Sequence, residues 1–130
     1  TAFQRGLGAM HALAHPLGAL YNAHHGTLNA VLMPYVLIAN RQAIEPRIIH
    51  LARSVDIPNA SFDSFLEWVL ELRETVSIPQ NLEDLGIDDN QADLIGKMAE
   101  VDPSGGTNPI LFDASQYQSI FMNALNGNLR

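Results

Sequence analysis

HALAHPLGALYNAHHG, from His11 to Gly26, holds four of the chain's five histidines and no charged side chain. His11 and His15 stand four apart. On a helix that spacing puts both imidazoles on one face, one turn apart. Read as helix, the stretch belongs to a buried apolar element that carries polar chemistry. His24 and His25 follow just before Gly26, where a helical hairpin can fold His25 back against His11.

Outward from this stretch, no charged residue occurs between Gly6 and Asn40. The run does not read as a membrane span, because four His, three Asn, several Gly and two Pro break it up and no clean apolar block of about 18 residues survives. Nor does it read as a signal peptide, since the basic start and cleavage site are missing. It reads instead as a pair of helices buried on nearly all sides, Ala2 to Leu20 and Thr27 to Ala39, joined over Tyr21 to Gly26. Pro16 is expected to kink the first or end its ladder, and Pro34 to disturb the second. The chain opens on Thr and enters an apolar segment almost at once. That suggests a processed start or a piece of a longer polypeptide.

The remaining elements are also helical. Asn40 to Val55 is amphipathic, with Pro46 inside, and IPNAS is a linker. Ser61 to Val76 shows the clearest pattern, with Phe62, Phe65, Leu66, Val69, Leu70 and Leu72 on one broad face. SIPQNLEDLGI is a loop with one short helical turn. Asp88 with Gln91, and Asp113 with Gln116, have capping-box spacing; they open helices to Glu100 and to about Asn126. No period-two strand pattern persists and there is no internal repeat. The fold class is therefore all-α, a helical bundle spanning residues 1–130 as one domain. Gly6-Leu7-Gly8 is not a dinucleotide fingerprint, because it has no third glycine and no preceding strand.

Composition narrows the function. The 130 residues carry 14 acidic and 7 basic side chains, a net charge of −7. That balance argues against nucleic acid, and a single lysine, Lys97, argues against a polybasic membrane anchor. With no cysteine there is no thiolate site. The absence also fits a reducing compartment, and a cytoplasmic location is expected.

A lone histidine on an apolar face is usually a core residue with one hydrogen bond. Four in fifteen residues without an acid are harder to satisfy, because each imidazole needs partners for two nitrogens. A metal takes one nitrogen while the other donates outward. The metalloprotease pattern fails, since Ala12 stands where the general-base Glu belongs. His50 lies among surface-type neighbours and reads as structural. Two histidines are an incomplete set for a divalent ion. The missing ligands are distant acids of this chain or residues outside it.

These residues resemble the C-terminal histidine segment of the iron-containing (group III) alcohol dehydrogenases. The family pattern G-x-x-H-x-x-x-H-x-L-G appears as Gly8, His11, His15, Leu17 and Gly18. H-G-x-x-N-A appears as His25, Gly26, Asn29 and Ala30, followed by Met33 and Pro34. IPQNLEDLGI resembles the family's Pro-x-x-Leu-x-x-Leu-Gly stretch, and DPSGGTNPILF its loop before the last helix. The resemblance covers essentially the whole chain, most specifically over the histidines.

The resemblance implies an all-α metal domain that follows an N-terminal α/β domain binding NAD or NADP. It implies Fe2+ held by one Asp and three His, two of them corresponding to His11 and His25. His15 corresponds to a residue beside the nicotinamide and substrate, and is the candidate for positioning the nicotinamide or relaying the proton. The Asp, the third His and the nucleotide domain are expected upstream of Thr1, so this chain alone is expected to be inactive. A homo-oligomer acting on a small alcohol or aldehyde is the expected whole. Zinc in place of iron, as in glycerol-dehydrogenase-like relatives, is one alternative; a non-enzymatic helical interaction module is another. Three positions depart from the pattern. Pro16 stands where Gln is common, Ile110 where a basic residue follows Asn-Pro, and His24 where Pro is frequent. His24 reads as a bystander, with a polar neighbour at the mouth of the site as the alternative.

Overall fold

The computed structural model describes residues 8–21, 25–76, 78–79, 81–103, 106, 108 and 110–128, and of His25 and Ala9 only the backbone. Among the described residues six α-helices follow in order: α1 Gly8–Tyr21, α2 His25–Ala39, α3 Arg41–Ser54, α4 Phe62–Thr75, α5 Ala92–Glu100 and α6 Ala114–Asn126, with a 3-10 turn at Glu83–Leu85. No strand occurs among the described residues. The expected Ala2–Leu7 start of the first helix and the connection at 22–24 lie outside them.

The uncharged run forms the centre of the bundle. α2 touches α1, α3, α4 and α6, while α1 also packs on α5 and α6. Met10, Ala12, Leu13, Ala14 and Leu17 of α1 meet Leu28, Val31, Leu32, Val36 and Leu37 of α2, all fully buried. From Thr27 to Asn40 no residue of α2 or its end is exposed. A helix in such surroundings has no polar face to keep wet, which explains its uniform hydrophobicity. Pro16 does not end α1, which runs on to Tyr21. The missing N–H removes a single rung, and the packed neighbours hold the rest.

Two expectations fail for identifiable reasons. Leu72 is 50% exposed, and the buried stripe of α4 is instead Phe62, Phe65, Leu66, Val69 and Arg73. Val69 and Arg73 follow Phe62 by seven and eleven residues, which is close to whole helical turns, so they mark the centre of the stripe and Leu72 falls to its side. The Asp88–Gln91 box also does not form. Gln91 is itself the N-cap of α5, without a side-chain cap bond. Asp88 lies one turn too early, and its Oδ1 accepts from the Asn90 N–H at 3.1 Å and from the Tyr21 hydroxyl at 3.2 Å. The Asp113–Gln116 box does form: Asp113 Oδ1 accepts from the Gln116 N–H at 2.8 Å, and Gln116 Oε1 accepts from the Asp113 N–H at 2.9 Å. Ser61 and Ser64 cap α4 in the same reciprocal way.

The loop after α5 is pinned to the core by a buried amide pair. Asn40 Nδ2 donates to Asn108 Oδ1 at 3.1 Å, and Asn108 Nδ2 returns a bond to Asn40 Oδ1 at 2.7 Å. Asn40 Nδ2 also donates to the Val36 carbonyl, and Asn108 Nδ2 to the Ile110 carbonyl. Both side chains are almost wholly excluded from water. Asn108→Ala would leave Asn40 with an unmet buried acceptor, so a loss of about 1–2 kcal/mol is expected. Urea unfolding should show a lower midpoint at unchanged slope, and an unchanged midpoint would remove the pair as the loop's anchor.

Candidate functional site

The site grows from the exposed edge of α1. Helical geometry sets the His11 and His15 rings with centroids 6.5 Å apart, tilted by 39°. His11 is half-buried, and the His15 side chain is 51% exposed. His50 is exposed on α3, away from this pair in sequence and on a different helix. His24 and the side chain of His25 fall outside the described residues. The backbone of His25 does begin α2, so it opens the helix packed against α1.

The acid missing from the neighbourhood in sequence arrives from the far half of the chain. Asp102, in the loop after α5, places Oδ2 2.8 Å from His15 Nδ1. Its side chain is only 14% exposed. The Asp102 N–H bonds the Ala99 carbonyl at 3.1 Å, so the end of α5 fixes the aspartate's backbone. The sequence flagged the Asp102 loop by resemblance but gave no sign of its partner.

Tyr117 lies behind this carboxylate. It is 1% exposed and meets Phe112 edge-on with centroids 5.6 Å apart. Burial, and secondly the Asp102 charge, push its hydroxyl above the ordinary value of 10.0. The phenol therefore stays neutral in the fold at a pH where the unfolded chain ionises it. Its contribution is whole below about pH 10 and is lost as pH rises through the folded-state value. Unfolding midpoints should fall with alkalinity above about pH 10, and Tyr117→Phe should make that fall shallower. An equally steep fall in the variant would assign it to other groups.

One further polar atom faces this end of the bundle without a partner. Asn29 Oδ1, one turn after His25 on α2, is buried and accepts no hydrogen bond. An orphaned acceptor of this kind calls for a donor. Among the described residues no three His, Cys, Asp or Glu side chains converge as a metal site. His11 therefore supplies at most part of a donor set here. No helix among the described residues is long and apolar enough to cross a membrane.

The bundle thus presents a histidine pair on a buried helix, backed by a carboxylate from a pinned loop. That class of arrangement is an all-helical domain. Residues 2–125 match the family described as the Fe-containing alcohol dehydrogenase family, C-terminal, and the chain belongs to that family. It is 35% identical over 126 residues to a 4-hydroxybutyrate dehydrogenase of Cupriavidus necator, covering 90% of this chain and 32% of that protein. It is 33% identical over 124 residues to alcohol dehydrogenase 4 of Saccharomyces cerevisiae, covering 91% of this chain and 31% of that one. Among solved structures, a 1,3-propanediol oxidoreductase superposes with a TM-score of 0.83 at 30% identity, over 90% of this chain and 32% of the other. The alcohol dehydrogenase of Oenococcus oeni gives 0.80 at 31% identity, over 88% of this chain and 32% of the other. The chain therefore spans about a third of the length of the relatives it matches.

Proposed function

We propose that this chain is the metal-holding helical part of an NAD(P)-linked alcohol dehydrogenase, interconverting a small alcohol and its aldehyde or ketone. The observation that carries this reading is the histidine pair of α1 within a chain of this family. In the proposal His11 and His25 are metal ligands, and His15 lies at the nicotinamide and substrate. The donor chemistry fits a borderline divalent ion, Fe2+ or Zn2+, because neutral imidazole suits both. Bound there, such an ion would supply Lewis acidity toward the alcohol oxygen. The remaining ligands and the nucleotide site belong to an N-terminal α/β domain, and the Asn29 acceptor fits a donor from outside the described residues. A homo-oligomer and a cytoplasmic setting complete the proposal.

The test compares two proteins. The whole polypeptide, at the length its source makes it, is loaded with Fe2+ or Zn2+ and assayed for reduction of NAD+ and NADP+ with short alcohols and diols. Hydride transfer that vanishes on chelation and returns with metal is the expected result. The 130-residue chain assayed alone should give none. A folded, metal-loaded whole protein inert toward every alcohol would sink the proposal. Activity in the isolated chain would overturn the division of the site between two domains.

A further inference from the structure

The His15–Asp102 contact is not explained by the stability of the elements it joins. Asp102 lies two residues beyond the last residue of α5. The helix dipole is negative at that end, so a carboxylate there sits against the helix's own field. Its side chain is also largely withdrawn from water, at 14% exposure, which is unfavourable for an acid unless strong hydrogen bonds replace the lost solvent. The 2.8 Å contact to His15 Nδ1 has the length of a charge-assisted bond.

The local backbone is organised to keep the carboxylate in place. The Asp102 N–H is tied to Ala99, and the Asn40–Asn108 pair holds the same loop six residues further on. α5 itself packs on α1, the helix that carries His15. The histidine and its acid are therefore both attached to rigid elements, as a site needing a fixed ring orientation requires.

We propose that Asp102 is a positioning residue that fixes the orientation and tautomer of His15. A carboxylate only accepts, so the shared proton sits on His15 Nδ1 and the lone pair of the neutral ring is on Nε2. The proposal rests on the reading of His15 as a residue beside nicotinamide and substrate, and adds to it. His15 then meets the reacting groups as a hydrogen-bond acceptor at Nε2, in a ring that cannot flip without breaking the bond to Asp102.

The experiment reads the tautomer directly. The protein, at the length its source makes it, is labelled with 15N at histidine, and ring nitrogens are read by long-range 1H–15N correlation at alkaline pH. The natural sequence should show His15 protonated at Nδ1. Asp102→Ala should shift it toward the mixture of an unconstrained imidazole. Asp102→Asn, whose amide can donate to Nδ1, should shift it toward Nε2–H. A natural-sequence ring protonated at Nε2, or a tautomer indifferent to both substitutions, overturns the proposal. In the metal-loaded protein, Asp102→Ala should lower kcat by about 10–100-fold, with a much smaller change in KM for the alcohol. If the tautomer responds as expected but neither His15→Ala nor Asp102→Ala alters kcat, the positioning role falls through the reading beneath it. The spectra separate that failure from failure of the contact.

Discussion

Gly96→Ala should lower the stability of the fold by at least about 2 kcal/mol, although alanine is the better helix former. Gly96 is buried in the middle of α5, where it faces the start of α6. A Cβ built there would lie 2.5 Å from the Ala114 carbonyl oxygen and 3.2 Å from the Gln118 Cβ. The first contact is with backbone, which cannot swing aside as a side chain would. In an open helix, Gly→Ala gains about 1 kcal/mol. Overpacking typically loses about 1–3 kcal/mol, and a backbone collision belongs at or beyond the top of that range. The sign therefore decides between the two effects. Thermal unfolding should show a midpoint several degrees lower, and a raised midpoint would mean that α5 and α6 can separate freely. The two helices flank the loop holding Asp102 and Asn108, and Glu100 Oε2 accepts from the Ala114 N–H at 2.8 Å across the same junction. A displaced α6 should therefore also disturb His15, visible as a shifted His15 ring signal in the variant.

How much of this was legible in the sequence depends on the range of the interaction. α6 was readable at both ends, because a capping box and a helix stop are local chemistry that a few neighbouring residues settle. The stop is Gly127, which takes the left-handed conformation at φ 73°. The one-turn spacing of His11 and His15 was legible for the same reason. Asp88 and Gln91 show the limit of spacing alone. The pattern was right, but the helix began three residues later and the aspartate was taken by Asn90 and Tyr21. The partner of His15 lies 87 residues away, and the Asn40–Asn108 pair spans 68. Nothing in a local window selects such partners; they follow from how the helices stack. Resemblance flagged the loop that carries Asp102 and Asn108, without saying what either touches. Arg73 was missed outright, because a periodicity search scores an arginine as solvent-facing even when it occupies the buried stripe.

That arginine carries the other large prediction: Arg73→Ala should cost about 3–5 kcal/mol, and Arg73→Met only about 1–2. Arg73 is 5% exposed, and its Nη1 donates to the Val31 carbonyl of α2 at 3.1 Å. It also bonds the Tyr35 hydroxyl, while its buried Nε has no partner. Burial pulls the guanidinium below its ordinary 12.5, opposed by Tyr35. A charge so poorly solvated is retained because of what it does for α2. Pro34 has no N–H, so the carbonyl four residues before it, on Ala30, loses its helical donor. The guanidinium supplies a donor to the very next carbonyl, across from α4, and so splints the helix that His25 opens. Alanine would remove the added donor at the Val31 carbonyl and leave a cavity as well. Methionine would fill much of the space and relieve the buried charge, which is often neutral or better when an ionic group is replaced by a well-packed apolar one. The ranking of the two variants is therefore more telling than either value. If urea midpoints placed Arg73→Met at or above the natural protein, the desolvation of the charge would outweigh both bonds and the splint would contribute nothing. If Met falls between Ala and the natural residue, the donor function is real and packing accounts for the remaining loss.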